Sequence, residues 1–162
     1  MGKKSVKENK NIYQIYRENA DLTRDKASEI MGFVSADRIE KIESEKTTPH
    51  PDEVLAMAEC YKQPDLYNYF CSHECPIGQK YVPEIKIKNL SQVTLEILAS
   101  LNSMEKEMNR LIEITVDGKV SKDEFEDFNK IQQRLDSISM AADSMKLWLQ
   151  KEIADGMLNN ND

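Results

Sequence analysis

The residues best suited to chemistry form a short cluster of thiols and an imidazole. Cys71, His73 and Cys75 fall within five positions, and Cys60 lies upstream of them. Sulfur and nitrogen ligands of this kind suit zinc or an iron–sulfur cluster, so these four residues are the candidate metal ligands. On a continuous helix Cys71 and Cys75 share a face while His73 points away, so one ion could bind all three only if the helix unwound.

The spacing of the cluster favours a plainer role. It lacks the paired C-x-x-C form of strong zinc motifs. The sequence therefore predicts small buried cysteines and a polar His73 at a helix C-terminus, with no metal and no other cofactor. An odd number of cysteines in a chain that starts without an apolar secretory segment favours free thiols and a cytoplasmic location. A metal or redox sensor is the alternative.

A second loop resembles a calcium site only in part. Residues 113–124 place glycine at loop position six and glutamate at twelve, as in an EF-hand. Glu113 and Thr115, however, stand where Asp or Asn is usual. An Asp-Gly turn, with Ser121 and Glu124 as a capping box, explains the same residues without an ion.

The composition constrains the function classes. No apolar run approaches the ~20 residues of a membrane span, and no phosphate-cradling glycine loop or nucleophile elbow occurs, so the sequence predicts neither a membrane protein nor an enzyme. The net charge of −7 disfavours general affinity for nucleic acid. Residues 1–80 carry 12 Lys and Arg against 14 Asp and Glu, whereas residues 81–162 carry 10 against 15. The first part can therefore present a local basic face.

The spacing of apolar residues predicts an all-α protein. Apolar positions that include Ile15 and Ile30 define four short amphipathic helices, and Pro64 opens a fifth. Two longer apolar patterns, beginning at Leu90 and Phe125, predict an antiparallel hairpin with helices of about 35 and 50 Å. The predicted boundaries are a flexible basic arm at 1–10, a five-helix domain at 11–78, a linker at 79–88, the helical hairpin at 89–156 and a disordered tail at 157–162.

Residues 22–35 have the spacing of two capped helices joined by a tight turn. Thr23 caps the first helix, Gly32 ends it and Ser35 caps the second. Over residues 11–75 the chain resembles the phage-repressor type of helix-turn-helix, the Cro- and lambda-repressor-like or XRE family. The positions that match the family pattern are Leu22, Thr23, Ser28, Gly32, Ser35, Ile39, Ile42, Glu43 and Pro49.

This resemblance implies a DNA-binding transcriptional regulator whose helix from Ser35 enters the major groove. Arg24 stands where the family usually has glutamine, and the turn at 32–35 is one residue longer than Gly-Val-Ser. Glu45 replaces the usual glycine, which predicts that the helix runs on. The residues expected to contact double-stranded DNA are Arg24, Ser35, Ala36, Asp37, Arg38 and Lys41.

Two function classes follow from the charges near this helix. Asp37 and Glu40 repel phosphate, so the alternative is a protein–protein adaptor that uses the same fold without binding DNA. A basic surface along the helix would favour DNA, and an apolar or acidic one would favour the adaptor. The hairpin, which includes Trp148, carries more apolar surface than it can bury alone. That surface predicts a homodimer with DNA half-sites ~34 Å apart, and packing against the first domain is the competing arrangement.

Overall fold

The computed structural model describes residues 10–158, apart from the side chain of Lys106. In this range all regular elements are helices, which confirms the all-α prediction. None of these helices combines the length and apolar character that a membrane crossing needs. The predicted arm, except residue 10, and the tail beyond residue 158 lie outside the described residues. The chain divides into a first unit, residues 1–84 with 150–162, and a second unit, residues 85–149.

Short helices form the first unit and two long helices follow. Helix α5 passes directly into a single π-helical turn, Phe70–Glu74. The α-helices are α1 Ile12–Asn19, α2 Arg24–Met31, α3 Ala36–Glu43, α4 Pro51–Tyr61, α5 Asp65–Tyr69, α6 Gly78–Tyr81, α7 Leu90–Thr115 and α8 Phe125–Ala154.

The predicted boundaries of α2 and the start of α3 are confirmed. The Thr23 and Ser35 side-chain oxygens each accept a hydrogen bond at 3.2 Å from the backbone N–H three residues on. These bonds satisfy donors that a helix N-terminus otherwise leaves unpaired. Gly32 ends α2 with a φ of 77°, which glycine adopts without a steric penalty.

The end of α3 differs from the prediction that the helix runs on. It ends at Glu43, and Glu45 adopts a φ of 59°, a left-handed conformation that glycine adopts without a steric penalty. This conformation costs a non-glycine residue roughly 1–2 kcal/mol. In return, the Lys46 backbone N–H donates to the Lys41 carbonyl at 2.9 Å, so a carbonyl at the helix end keeps a partner.

The core of the first unit is built from α1 to α5 and the turn before α3. Ile15 and Ile30, expected on apolar faces, are instead 40% and 58% exposed. Helix α1 buries Tyr13, Gln14 and Arg17 instead, and Arg17 finds a buried partner in Glu43. The buried core residues are Tyr13, Ala27, Val34, Ile39, Ile42, Val54, Met57, Ala58, Tyr61 and Leu66.

The π-helical turn leads into a close backbone contact. The Cys75 N–H donates to the Phe70 carbonyl at 2.9 Å, which ends the turn. Gly78 then packs so tightly that a Cβ at this position would overlap the Cys71 carbonyl oxygen. Because glycine fits there, α6 forms at 78–81, where the sequence predicted a linker from residue 79.

In the second unit, side chains organise the loop that joins α7 and α8. Asp117 Oδ1 accepts from a backbone N–H two residues on at 3.0 Å, which makes the turn. Glu124 Oε2 accepts from the Ser121 N–H at 3.0 Å, one of the two contacts of the predicted capping box. Beyond the loop, Arg110 Nε of α7 donates to Asp127 Oδ2 of α8 at 2.9 Å, which links the two helices.

Candidate nucleic-acid interface

Helix α3 carries most of the predicted contact residues. Its inward side chains, Ile39 and Ile42, are 0% and 1% exposed and pack in the core. Asp37 and Lys41 lie on the exposed side, and Ala36 is partly exposed near the N-terminus. The Ser35 hydroxyl caps the helix. The outer face of α3 is therefore accessible to a partner.

A buried carboxylate joins α3 to α1 and α2. The Glu43 side chain is fully buried and accepts two hydrogen bonds from Arg17, from Nε at 2.6 Å and from Nη2 at 2.9 Å. Arg24 Nε donates to the same carboxylate at 2.8 Å. Burial works against the charge of Arg17, but the bonds to Glu43 outweigh it and raise the pKa of the guanidinium. Arg24, a predicted DNA contact, thus contributes to an internal ion pair.

Arg38, another predicted contact, is held inside the first unit. Its Nε and Nη2 donate to the two Glu53 carboxylate oxygens, both at 2.7 Å. Nη1 donates to Thr47 Oγ1 at 2.7 Å, and Nη2 also donates to the Thr48 carbonyl at 3.0 Å. The hydrogen bonds from Arg38 lower the pKa of Glu53. Arg38 therefore positions α3 against α4 and the intervening loop.

Lys41 is engaged more loosely. Its Nζ lies 2.7 Å from Asp37 Oδ2, one turn earlier, and the two side chains are 47% and 72% exposed. The hydrogen bond from Lys41 lowers the pKa of Asp37. Lys46 makes a similar exposed pair with Glu40 at 3.2 Å. Such exposed pairs contribute little to stability, so a phosphate can replace the carboxylate at low cost.

The longer turn before α3 brings an aromatic ring to the surface. Val34 takes the buried position, at 1% exposed, while the neighbouring Phe33 is 61% exposed. Ile30, also exposed, precedes it on α2, and Glu29 and Asp37 are exposed close by in the sequence. The sequence shows the longer turn but does not predict the exposed ring. It also does not predict that Arg17 and Glu43 are partners, because no local pattern signals a pair 26 residues apart.

The thiols and imidazole of the other candidate site do not converge. The His73 ring stacks on Tyr69 with centroids 4.5 Å apart, and its Nδ1 lies within hydrogen-bond distance of the Ser72 hydroxyl and the Tyr69 carbonyl. Across residues 10–158 no three His, Cys, Asp or Glu side chains form a group that could hold a metal ion. The thiols are free and partly buried, and burial raises the pKa of Cys60. The cysteines are Cys60, Cys71 and Cys75.

A partly buried acid, Glu74, lies beside this stack. The Tyr13 ring meets Tyr69 edge to face, with centroids 6.1 Å apart, and its hydroxyl lies next to Glu74. Within the described residues neither the Tyr13 hydroxyl nor Glu74 Oε2 has a hydrogen-bond partner of standard geometry. Burial, and to a lesser extent the charge of Glu45, raises the pKa of Glu74. The charge on Glu74 therefore works against folding.

Comparisons with known proteins give this chain no family: no protein-family model, curated protein or solved structure matches it. A fold by itself hosts many functions. The function must therefore be inferred from the exposed residues of the first unit and from how they are held.

Proposed function

We propose that this chain is a sequence-specific DNA-binding transcriptional regulator that uses α2 and α3 as a helix-turn-helix. The observation that carries the proposal is the exposed outer face of α3, whose inner face is fixed by Ile39 and Ile42. A helix held in this way fits the major groove, which is about 12 Å wide. The N-terminus of α3, capped by Ser35, adds a partial positive charge that favours phosphate.

The predicted contact residues fall into two groups, those that are free to reach DNA and those that bind carboxylates within the first unit. Ser35, Ala36 and Lys41 are the groups that approach DNA, with Asp37 as the exchangeable partner of Lys41. Arg24 and Arg38 donate to Glu43 and Glu53, so they act as positioning residues that set the angle of α3.

The proposal includes the finer architecture expected from the sequence. A five-helix, lambda-repressor-like domain at 11–78 precedes an antiparallel hairpin, and the regulator acts in the cytoplasm as a homodimer. The short turn between α2 and α3 supports the helix-turn-helix domain, and the Arg110–Asp127 pair between α7 and α8 supports the antiparallel hairpin. A dimer would bind two half-sites about 34 Å apart.

Selection from a random duplex library with purified protein, followed by fluorescence anisotropy at low salt, tests the proposal. Lys41→Ala is expected to weaken binding severalfold because a phosphate contact is lost. Asp37→Asn is expected to tighten binding because it releases Lys41 and removes a repulsive charge. Neither exposed substitution should move the thermal unfolding midpoint. Failure to enrich any sequence would refute the proposal.

Lys130→Ala is the matched control. Lys130 pairs with Glu126 one turn away at 2.9 Å, in an exposed geometry like that of Lys41 with Asp37, but on α8. It should bind DNA like the wild type. Arg38→Ala should lower the unfolding midpoint as well as affinity, which separates a positioning role from a direct contact.

A second candidate function is a protein adaptor, and the exposed Phe33 and Ile30 favour it. Two large exposed apolar side chains, with exposed Glu29 and Asp37 near them in the sequence, suit a partner segment that is both apolar and basic. Pull-downs with wild type and Phe33→Ser, analysed by mass spectrometry, should then show a partner that the variant loses. Equal recovery by both proteins would remove this candidate.

A further inference from the structure

Helix α7 exposes a row of large apolar side chains on one face. Helical geometry, at about 100° per residue, places these positions within roughly 80° of one another. Each is between 42% and 58% exposed, whereas Val93 and Ile114 on the inward side are 0% and 1% exposed. This apolar stripe consists of Leu90, Leu98, Leu101, Met108 and Ile112.

We propose that the apolar stripe is the interface with a second copy of this chain, α7 against α7. The five half-exposed side chains leave on the order of 500 Å² of apolar surface, near the upper end for a typical monomer. A standard interface buries about 800 Å² per partner, so the stripe would supply more than half of the area of one. A two-fold dimer uses the same patch on both copies, so apolar surface meets apolar surface along the helix.

Two exposed polar residues interrupt the stripe: Thr94, between Leu90 and Leu98, and the acidic Glu105, one turn after Leu101 and one turn before Met108. Polar residues in a helix–helix seam lower stability while restricting the alignment of the helices. The charge of Glu105 makes it the more costly of the two. Glu105 therefore weakens the dimer, and its replacement by leucine should strengthen it.

Sedimentation equilibrium of the full chain over about 1–100 µM tests the interface. The wild type is expected to approach twice the 18.7 kDa chain mass. Leu101→Glu is expected to give the monomer mass with unchanged helical circular dichroism. Leu95→Glu is the control, since Leu95 is 67% exposed on the same helix but about 100° away from the middle of the stripe.

Several outcomes would overturn the interface. The first is a wild type that stays monomeric at the highest concentration, which is expected if a different protein covers the stripe. The second is a Leu101→Glu variant that remains dimeric. The third is equal dissociation of Leu101→Glu and Leu95→Glu. Glu105→Leu gives a second test that does not depend on a disruptive change: the dimer dissociation constant should fall about tenfold, and no change would contradict the interface. The measurement contains no DNA, so its failure is distinct from failure of DNA binding.

Discussion

At the scale of single residues, the burial of Glu74 makes the stability of the first unit depend on pH. Its folded pKa is raised by burial above the ordinary value near 4.3. When the pKa of an acid is higher in the folded than in the unfolded state, the protonated acid contributes to the free energy of unfolding. This contribution is fully present at pH values below the unfolded pKa, and it is lost as the pH rises through the folded pKa. At neutral pH the ionised Glu74 therefore lowers the free energy of unfolding.

Glu74→Gln is expected to raise the urea midpoint at pH 7, because it replaces a partly buried charge by a neutral group of the same shape. At about pH 4 or below, where the wild-type carboxyl is protonated, the two midpoints should converge. Glu29→Gln, at an exposed position of α2, should match the wild type at both pH values. An advantage of Glu74→Gln that is equal at both pH values would contradict the linkage.

At the scale of elements, Glu43 determines how α1, α2 and α3 fit together. Its carboxylate is fully buried and faces Arg17, which is only 8% exposed, and Arg24. Removing one member of a buried pair leaves an uncompensated charge, which costs more than the intact pair contributes. The orientation of α3 therefore depends on a residue that does not face the proposed DNA.

Glu43→Gln is expected to lower the free energy of unfolding by about 3 kcal/mol, measured by urea denaturation. Glu40→Gln on the same helix is the control, because its partner Lys46 is 61% exposed. The control should change stability by less than about 0.5 kcal/mol. Equal losses in the two variants would show that burial of the pair is unimportant.

At the scale of the whole molecule, the charge distribution limits affinity for DNA. The chain has a net charge of −7, and the cations nearest the outer face of α3 pair with carboxylates. Each phosphate contact contributes about −0.9 to the slope of log K against log salt. DNA binding by α3 is thus expected to show a shallow salt dependence.

We expect a slope no steeper than about −3 per chain between 50 and 200 mM KCl, measured by fluorescence anisotropy. Asp37→Asn should leave the slope as steep or make it steeper, because Lys41 then meets phosphate without competition. A slope near zero would exclude phosphate contacts by Lys41 and Lys46. A much steeper slope would place the DNA on a different surface.

Local interactions made much of the fold predictable from the sequence. Thr23, Ser35 and Gly32 mark the boundaries of α2 and the start of α3, because caps and left-handed turns involve residues only three or four positions apart. Spacing in threes and fours predicted the long helices in the same way. Glu45 is the exception: a residue other than glycine predicted that α3 would run on, but the helix ends before it. The hydrogen bond from the Lys46 N–H to the Lys41 carbonyl offsets the backbone strain at Glu45.

The chemistry of the candidate interface depended on the tertiary structure. Arg24 and Arg38 are plausible DNA contacts in the sequence, but folding brings Glu43 and Glu53, 19 and 15 residues away, against them. The exposure of Phe33 likewise follows from Val34 filling the core. The sequence by itself therefore determined which segments are helical and where they begin, because those interactions are local. Only the tertiary structure decided which charges are satisfied internally, because that depends on residues distant along the chain.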